Sequence, residues 1–288
     1  MVSRPRATNG VPAPLLFVVG GASMYLGAAV AVDLFARVPP SAVAWLRLVG
    51  AALVLLAWRR PGRAAWRGRR LLLSASFGLV TAGMNVAFYE AVARLPLGTA
   101  VAVEFAGPVT VAALGSRSVR DRVALGAVTV GVVLIADVRL EGSALGVVLA
   151  LAAAALWAGY IVLGTRVSRA GAGRGGAGRA VDDLAVGFTV AALVLSPLAL
   201  AAGPAFASPT LLGLGAGVGV ASSVVPYVLD QVVLRRVGRG RFALLLALLP
   251  LTATAVGVVA LGQVPTPLEA AGIAAVVAGV ALRSRDPD

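Results

Sequence analysis

The sequence holds no cysteine, no histidine and no lysine. Each absence closes a class of chemistry. Without cysteine there is no disulfide framework, no thiolate nucleophile and no iron–sulfur ligation. Without histidine there is no Ser-His-Asp triad and no histidine metal site. Without lysine a phosphate-binding P-loop of the GxxxxGK[ST] type cannot be written, so the chain cannot be its own ATP-driven motor. Charge is scarce too, at 13% of 288 residues, where ordinary globular domains carry about 25%. No catalytic constellation, cofactor or metal site is expected, and the chain does not read as an enzyme.

What fills the space is apolar. Residues of the hydrophobic class make up 59% of the chain before its 35 glycines are added, and mean hydropathy is +0.95. A water-soluble globule sits near 45–50% with glycine included, so the first reading is a bilayer-embedded protein. A transmembrane helix needs about 20 mostly apolar residues. Ten such stretches run approximately over 14–36, 40–58, 71–93, 97–115, 119–137, 143–165, 182–203, 210–233, 242–262 and 267–283. Their length and their Ala and Leu content favour helix over buried strand. No stretch is left over for a soluble domain.

The 25 arginines and a net charge of +13 would suggest nucleic acid in a soluble chain. Their placement says otherwise. Arg4 and Arg6, six Arg within 59–70, three within 117–122, four within 166–179, four within 235–241, and Arg283 and Arg285 all fall on one side of ten alternating spans. Arg37, Arg94 and Arg139 fall on the other, and Arg47 lies inside the second span. That bias is the positive-inside signature and puts both termini in the cytoplasm. The lipid bilayer, with its anionic headgroups, is then the partner of these loops, and no nucleic acid is expected. The first span runs too far to be a cleaved signal peptide.

The two halves can be laid over each other. Pro108 and Pro250 are 142 residues apart, each inside an apolar span, and Arg94 meets Arg236 and Gly98 meets Gly240 at the same offset. Five spans per half is an odd number, so a second copy must insert upside down. The expected fold class is therefore an all-α integral membrane protein of ten transmembrane helices, built as two inverted five-helix repeats over 1–142 and 143–288. Inverted repeats are common in secondary transporters, which bind substrate at the midplane and rock one half against the other.

The stretch 84–109, MNVAFYEAVARLPLGTAVAVEFAGPV, resembles the EamA-type drug/metabolite transporters, specifically the threonine/homoserine exporter group. Met84, Asn85, Phe88, Tyr89, Pro96, Leu97, Gly98, Glu104, Phe105, Gly107 and Pro108 carry the likeness. Leu46-Arg47, Trp157-Ala158, Tyr160, Pro226-Tyr227 and Leu261-Gly262 extend it along the chain. The resemblance implies a multi-pass protein of the bacterial inner membrane that exports small amino-acid-like metabolites, driven by protons. Members of the group often carry Glu before the ninth-span proline and after the following Leu-Gly. Leu249 and Gln263 stand there in this chain.

An ionisable group at membrane depth is a functional candidate by default. Glu104 lies one turn before Pro108 and is the candidate central acid, able to hold a substrate ammonium or exchange a proton. The alternative is a structural pair with Arg47. Arg47 could grip a carboxylate through its fork of donors, or pair within the protein. Asn85 and Tyr89 share one helical face, suited to a cavity wall or to an interhelical hydrogen bond. Glu90 is either a site residue or a snorkelling interfacial group, and Asp33 reads as interfacial. Trp157, Tyr160 and Tyr25 are cavity aromatics or core packing. Tyr227 follows Pro226, where a kink would expose backbone carbonyls just after Ser222 and Ser223; Asp230 would pair with Arg235 or Arg236. The run LGLGAGVGV at 212–220 offers two overlapping GxxxG faces for packing. GAGRGG at 171–176 is a linker, since no strand precedes it.

These features favour a transporter of a small-molecule substrate coupled to protons. A transporter of another metabolite or drug class, a membrane sensor or scaffold, and an intramembrane lipid enzyme are the alternatives. A homodimer is compatible with all of them.

Overall fold

The computed structural model describes residues 11–115, 118–171, 176–226, 229, 232–233, 236–237 and 245–283. Among these the chain is helical, without strands: α1 (Ala13–Leu34), α2 (Pro40–Arg59), α3 (Gly68–Val92), α4 (Leu97–Glu104), α5 (Ala106–Gly115), α6 (Val119–Gly171), α7 (Gly176–Val194), α8 (Gly203–Phe206), α9 (Pro209–Gly219), α10 (Leu248–Leu261) and α11 (Pro267–Arg283). Prolines open several of them. Pro40, Pro209 and Pro267 sit in the first turn, where a missing N–H leaves no helical bond unmade. Gly262 ends α10 in the left-handed conformation, at φ 66°.

Among the described residues four helices are long and apolar enough to cross a membrane: Ala13–Leu34, Pro40–Arg59, Gly68–Val92 and Ser143–Gly164. Val181–Val194 and Ser196–Ala202 add a fifth span if taken together, bent by 62°. Leu97–Val111, Pro209–Val224, Leu248–Leu261 and Pro267–Leu282 are apolar but shorter. The protein is thus an all-α, multi-pass membrane protein. Proline accounts for much of the interruption. A proline inside a helix cannot bond the carbonyl four residues back, and its ring crowds that carbonyl. Pro108 leaves the Glu104 carbonyl without its partner, and the helix breaks at Phe105, between α4 and α5. Pro250 faces Leu246 in the same way, and a turn at Ala247 precedes α10. Pro226 faces Ser222, and Val220–Val224 winds as a π-helical turn. The long α6 leaves helical geometry at Ser143 (φ −161°, ψ 54°), which divides it into two arms.

Small residues set the closest approaches. The first arm of α6 packs on α11 where Gly131 meets Gly272 and Ala124 meets Gly279, so the two run antiparallel. Gly78 of α3 lies against the backbone of Gly187 in α7. Gly219 lies against the backbone of Arg47 in α2, and Gly50 of α2 against Ala216. Only one of the two overlapping GxxxG faces is used. Gly215 packs on the Leu46 side chain and Gly219 on Arg47, while Gly213 and Gly217 face open space.

Polar groups tie the ends. Asp182 and Asp183 of α7 accept from Arg59 (3.0 Å) and Arg70 (2.5 Å), joining α7 to α2 and α3. Trp45 Nε1 donates to the Ala192 carbonyl at 2.9 Å. Side chains cap the starts of α6 and α11, the second by a reciprocal capping box. The Asp121 N–H donates to Ser118 Oγ, which donates to Asp121 Oδ2. The Thr266 N–H donates to Glu269 Oε2 and the Glu269 N–H to Thr266 Oγ1.

Candidate functional site

A cavity of about 190 Å³ opens between α2, α3, the second arm of α6, α7 and the π-helical turn. Arg47, Leu55, Thr81, Met84, Asn85, Trp157, Tyr160, Leu184, Phe188, Ser222, Ser223 and Val224 line it. Both halves of the chain contribute. Arg47 is the only charged residue among these, and the rest of the polar lining consists of hydroxyl, amide and ring N–H groups. The wall is otherwise aromatic and aliphatic, the usual make-up of a small-molecule site.

Arg47 is 9% exposed. Its Nη2 donates to the Ser222 carbonyl at 3.0 Å and its Nε to Ser223 Oγ at 3.2 Å. The Ser222 carbonyl is the one that Pro226 cannot bond, so the arginine takes up an acceptor the proline has released. The guanidinium also lies 5.3 Å from the Tyr89 ring centroid, a cation–π distance. The turn itself is held to α1 by two bonds: Ser23 Oγ donates to the Ala221 carbonyl (2.9 Å) and Ser222 Oγ to the Met24 carbonyl (3.1 Å).

Asn85 Nδ2 donates to the Thr81 carbonyl at 2.9 Å, one turn back, which fixes the amide at the cavity wall. Trp157 stands edge-to-face on Phe105 at 4.9 Å, and Tyr160 stacks on Phe77 at 4.6 Å. Among the expected site residues, Arg47, Asn85, Trp157 and Tyr160 are therefore brought together. Three others are not. Tyr89 is buried behind Arg47, against Phe35 and Phe88, and its hydroxyl has no hydrogen-bond partner among the described residues. Glu90 accepts from the Ser41 N–H (3.0 Å) and from Arg94 (2.6 Å), tying α3 to the start of α2 instead of facing the cavity. Glu104 is buried at the α4–α5 break and does not line the cavity. The direct Glu104–Arg47 ion pair that was the alternative is not among the ion pairs of the described residues. Tyr227, Asp230 and Gln231 lie outside the described residues. Asp33 is exposed at the end of α1 and Tyr25 is buried in the core.

Sequence reasoning missed Thr81 and Phe188 as lining residues, and it gave no role to Ser222 and Ser223. It also missed a fully buried acid in the second half. Glu269 is 0% exposed and accepts from Thr99 Oγ1 at 3.1 Å besides capping its own helix. The T-x-x-E spacing before an apolar run was the available signal. Gln263 Oε1 accepts from the Leu97 N–H at 2.8 Å, capping the first turn of α4. Leu249 is buried against Gly21 of α1.

Comparison with known proteins gives the family. The EamA-like transporter family profile matches residues 144–285. The threonine/homoserine exporter RhtA of Escherichia coli strain K12 is 34% identical over 268 residues, which cover 92% of this chain and 88% of that protein. The chain belongs to the EamA-like transporter family. A second exporter RhtA, from Salmonella typhimurium strain LT2, is 34% identical over 281 residues, covering 95% and 92% of the two chains. A solved crystal structure superposes with a TM-score of 0.56 at 20% identity, covering 94% of each chain, and shares the fold. As an EamA-like protein the chain is a multi-pass membrane transporter of a small molecule, not an enzyme. The 84–109 segment that pointed to the family supplies two cavity residues, Met84 and Asn85, and the break at Phe105.

Proposed function

We propose that this transporter exports small amino acids of the threonine and homoserine kind across the bacterial inner membrane in exchange for protons. The cavity carries the reading. It is small, it holds one cation in Arg47, and its wall combines Asn85, Thr81 and Ser223 with apolar side chains. An amino acid brings a carboxylate for Arg47, and a short hydroxylated side chain suits the mixed wall. Asn85, Trp157 and Tyr160 are the further binding residues. Tyr89 backs Arg47, Glu90 braces the outer ends of α2 and α3, and Tyr227 belongs to the same set beyond Pro226. Glu104, buried at the α4–α5 break, is the proton-exchanging group.

The architecture we propose is ten spans in two inverted repeats, 1–142 and 143–288, with both termini cytoplasmic. Three observations support it. The proline breaks at Phe105 and Ala247 share the 142-residue offset. The buried acids Asp121 and Glu269 lie in the first turn of the last helix of each half, each bonded to the hydroxyl residue three before it. The contacts Gly131–Gly272 and Ala124–Gly279 have the form of a pseudo-two-fold pairing, each position on one helix recurring on the other. The division between halves falls at the Ser143 break.

The test is flux of labelled threonine and homoserine in proteoliposomes, with and without an imposed pH gradient. The gradient should accelerate wild-type flux. In Glu104→Gln, flux down the substrate's own gradient should persist while the response to the pH gradient disappears. A full response in that variant removes Glu104 from proton exchange. Absence of amino-acid flux in the wild type removes the proposed substrate class.

A further inference from the structure

The donors of Arg47 are not all used alike. Nε and Nη2 form one edge of the guanidinium, and both are bonded to consecutive residues of a single turn, Ser223 and Ser222. Nη1 has no hydrogen-bond partner among the described residues, although the side chain is nine-tenths buried and lines the cavity. The remaining freedom of the group is small. The backbone of Arg47 is pressed by Gly219, where no larger residue fits, and the Tyr89 ring covers the guanidinium. The turn that holds it is fixed in its own right by the Ser23–Ala221 and Ser222–Met24 bonds to α1.

We propose that the π-helical turn Val220–Val224 sets the specificity of the site by holding Arg47 through its Nε/Nη2 edge, so that the cavity offers the Nη1/Nη2 end to a free carboxylate. Ser223 is then a positioning residue. It acts through Arg47, fixing which edge of the guanidinium the substrate meets. A carboxylate presents two charged acceptors to the paired N–H groups of that end, the strongest arrangement available to arginine. A carboxamide presents one acceptor and an amino group whose hydrogens oppose those of the guanidinium, and it leaves the cation without a counter-charge. An amino alcohol presents no carbonyl oxygen at all. The site therefore selects amino acids with an unmodified carboxylate over their amides, esters and alcohols. Arg47 belongs to the first half and the turn to the second, so the selecting element is assembled only when the two are in contact. This inference rests on the reading that the cavity carries amino acids.

The experiment is transport of L-threonine by the full chain in proteoliposomes, with L-threoninamide as competitor. Wild type, Ser223→Ala, Ser223→Thr and Arg47→Lys are compared at equal amounts of folded protein. In the wild type, L-threoninamide should compete about tenfold or more weakly than unlabelled L-threonine, the discrimination expected of about one charged hydrogen bond. Ser223→Ala should raise KM for L-threonine by about tenfold, with kcat little changed, and narrow the discrimination against the amide. Ser223→Thr keeps the hydroxyl and should keep wild-type KM and selectivity. Arg47→Lys keeps the charge without the fork and should lose the discrimination, which carries the test should Ser223→Ala not fold. Wild-type KM and selectivity in Ser223→Ala, or a fall in kcat alone, overturns the positioning role. Undiminished discrimination in Arg47→Lys overturns the end-on docking. A wild type that moves L-threonine while either result holds refutes this inference alone; a wild type that moves no amino acid refutes the proposed function with it.

Discussion

At the scale of single residues, the charged groups divide by what completes them. Arg47 finds its partners in a backbone carbonyl and a hydroxyl, so it needs no carboxylate from the protein. The sequence marked Arg47 and Glu104 as candidates because ionisable side chains are costly at membrane depth. It could not say whether they pair, since pairing depends on the rotation of α2 and α4 about their axes. Gln263 is a case where a departure from the family pattern has a simple physical reading. Its amide oxygen accepts the Leu97 N–H, one of the orphan donors at the start of α4. A carboxylate could accept the same bond. Gln263→Leu should therefore destabilise the protein by about 1–2 kcal/mol, seen as a fall of several degrees in the melting temperature of the solubilised protein. Gln263→Glu should cost clearly less. Equal melting temperatures for Gln263→Leu and wild type would remove the cap from the account.

Elements add what residues alone do not show. The prolines were legible in the sequence as breaks, and each lies where it predicts one. What the break exposes was legible only in outline, because it depends on which helix passes by. The Ser222 carbonyl released by Pro226 is used by Arg47, 175 residues away in the chain. The glycine run 212–220 illustrates the same limit. Two faces were equally available to packing, and the sequence holds no term that prefers Gly215 and Gly219 over Gly213 and Gly217. The contacts decide it. A side chain at 219 would meet the Arg47 carbonyl and the Ala51 N–H, whereas one at 217 meets nothing within 4 Å. Gly219→Val should cost about 1–3 kcal/mol, as overpacked sites do, and should impair transport by pushing the π-helical turn off α2. Gly217→Val should leave both stability and flux near wild type. Thermal melts and flux on the two variants side by side check this, and equal effects would contradict the assignment of the packing face.

At the scale of the whole molecule, composition and the long apolar runs were enough to give a multi-pass helical membrane protein, and the 84–109 segment to give its family. Of the candidates marked in the sequence, Arg47, Asn85, Trp157 and Tyr160, from spans two, three and six, line the cavity. Leu184 and Phe188 of α7 were not foreseen, because ordinary apolar residues carry no mark of facing a cavity. Glu269 was overlooked because it sits at a span's edge, where an acid usually reads as solvent-facing; the bundle covers it instead. The proposed topology can be mapped directly, since the absence of cysteine makes every introduced thiol unique. Cysteine at exposed position 207 should react with an impermeant maleimide added to whole cells. Cysteine at exposed position 67 should react only after the membrane is permeabilised. The reverse pattern would invert the orientation.

The central claim is that the Arg47 cavity is where an amino acid binds. Counterflow of labelled L-threonine tests it most directly, because exchange across the membrane needs no imposed pH gradient and isolates substrate binding from proton coupling. Wild-type and Arg47→Ala proteins would be reconstituted at equal amounts of folded protein. The account predicts robust exchange by the wild type and its loss in Arg47→Ala at L-threonine concentrations that saturate the wild type. Undiminished exchange by Arg47→Ala would contradict it.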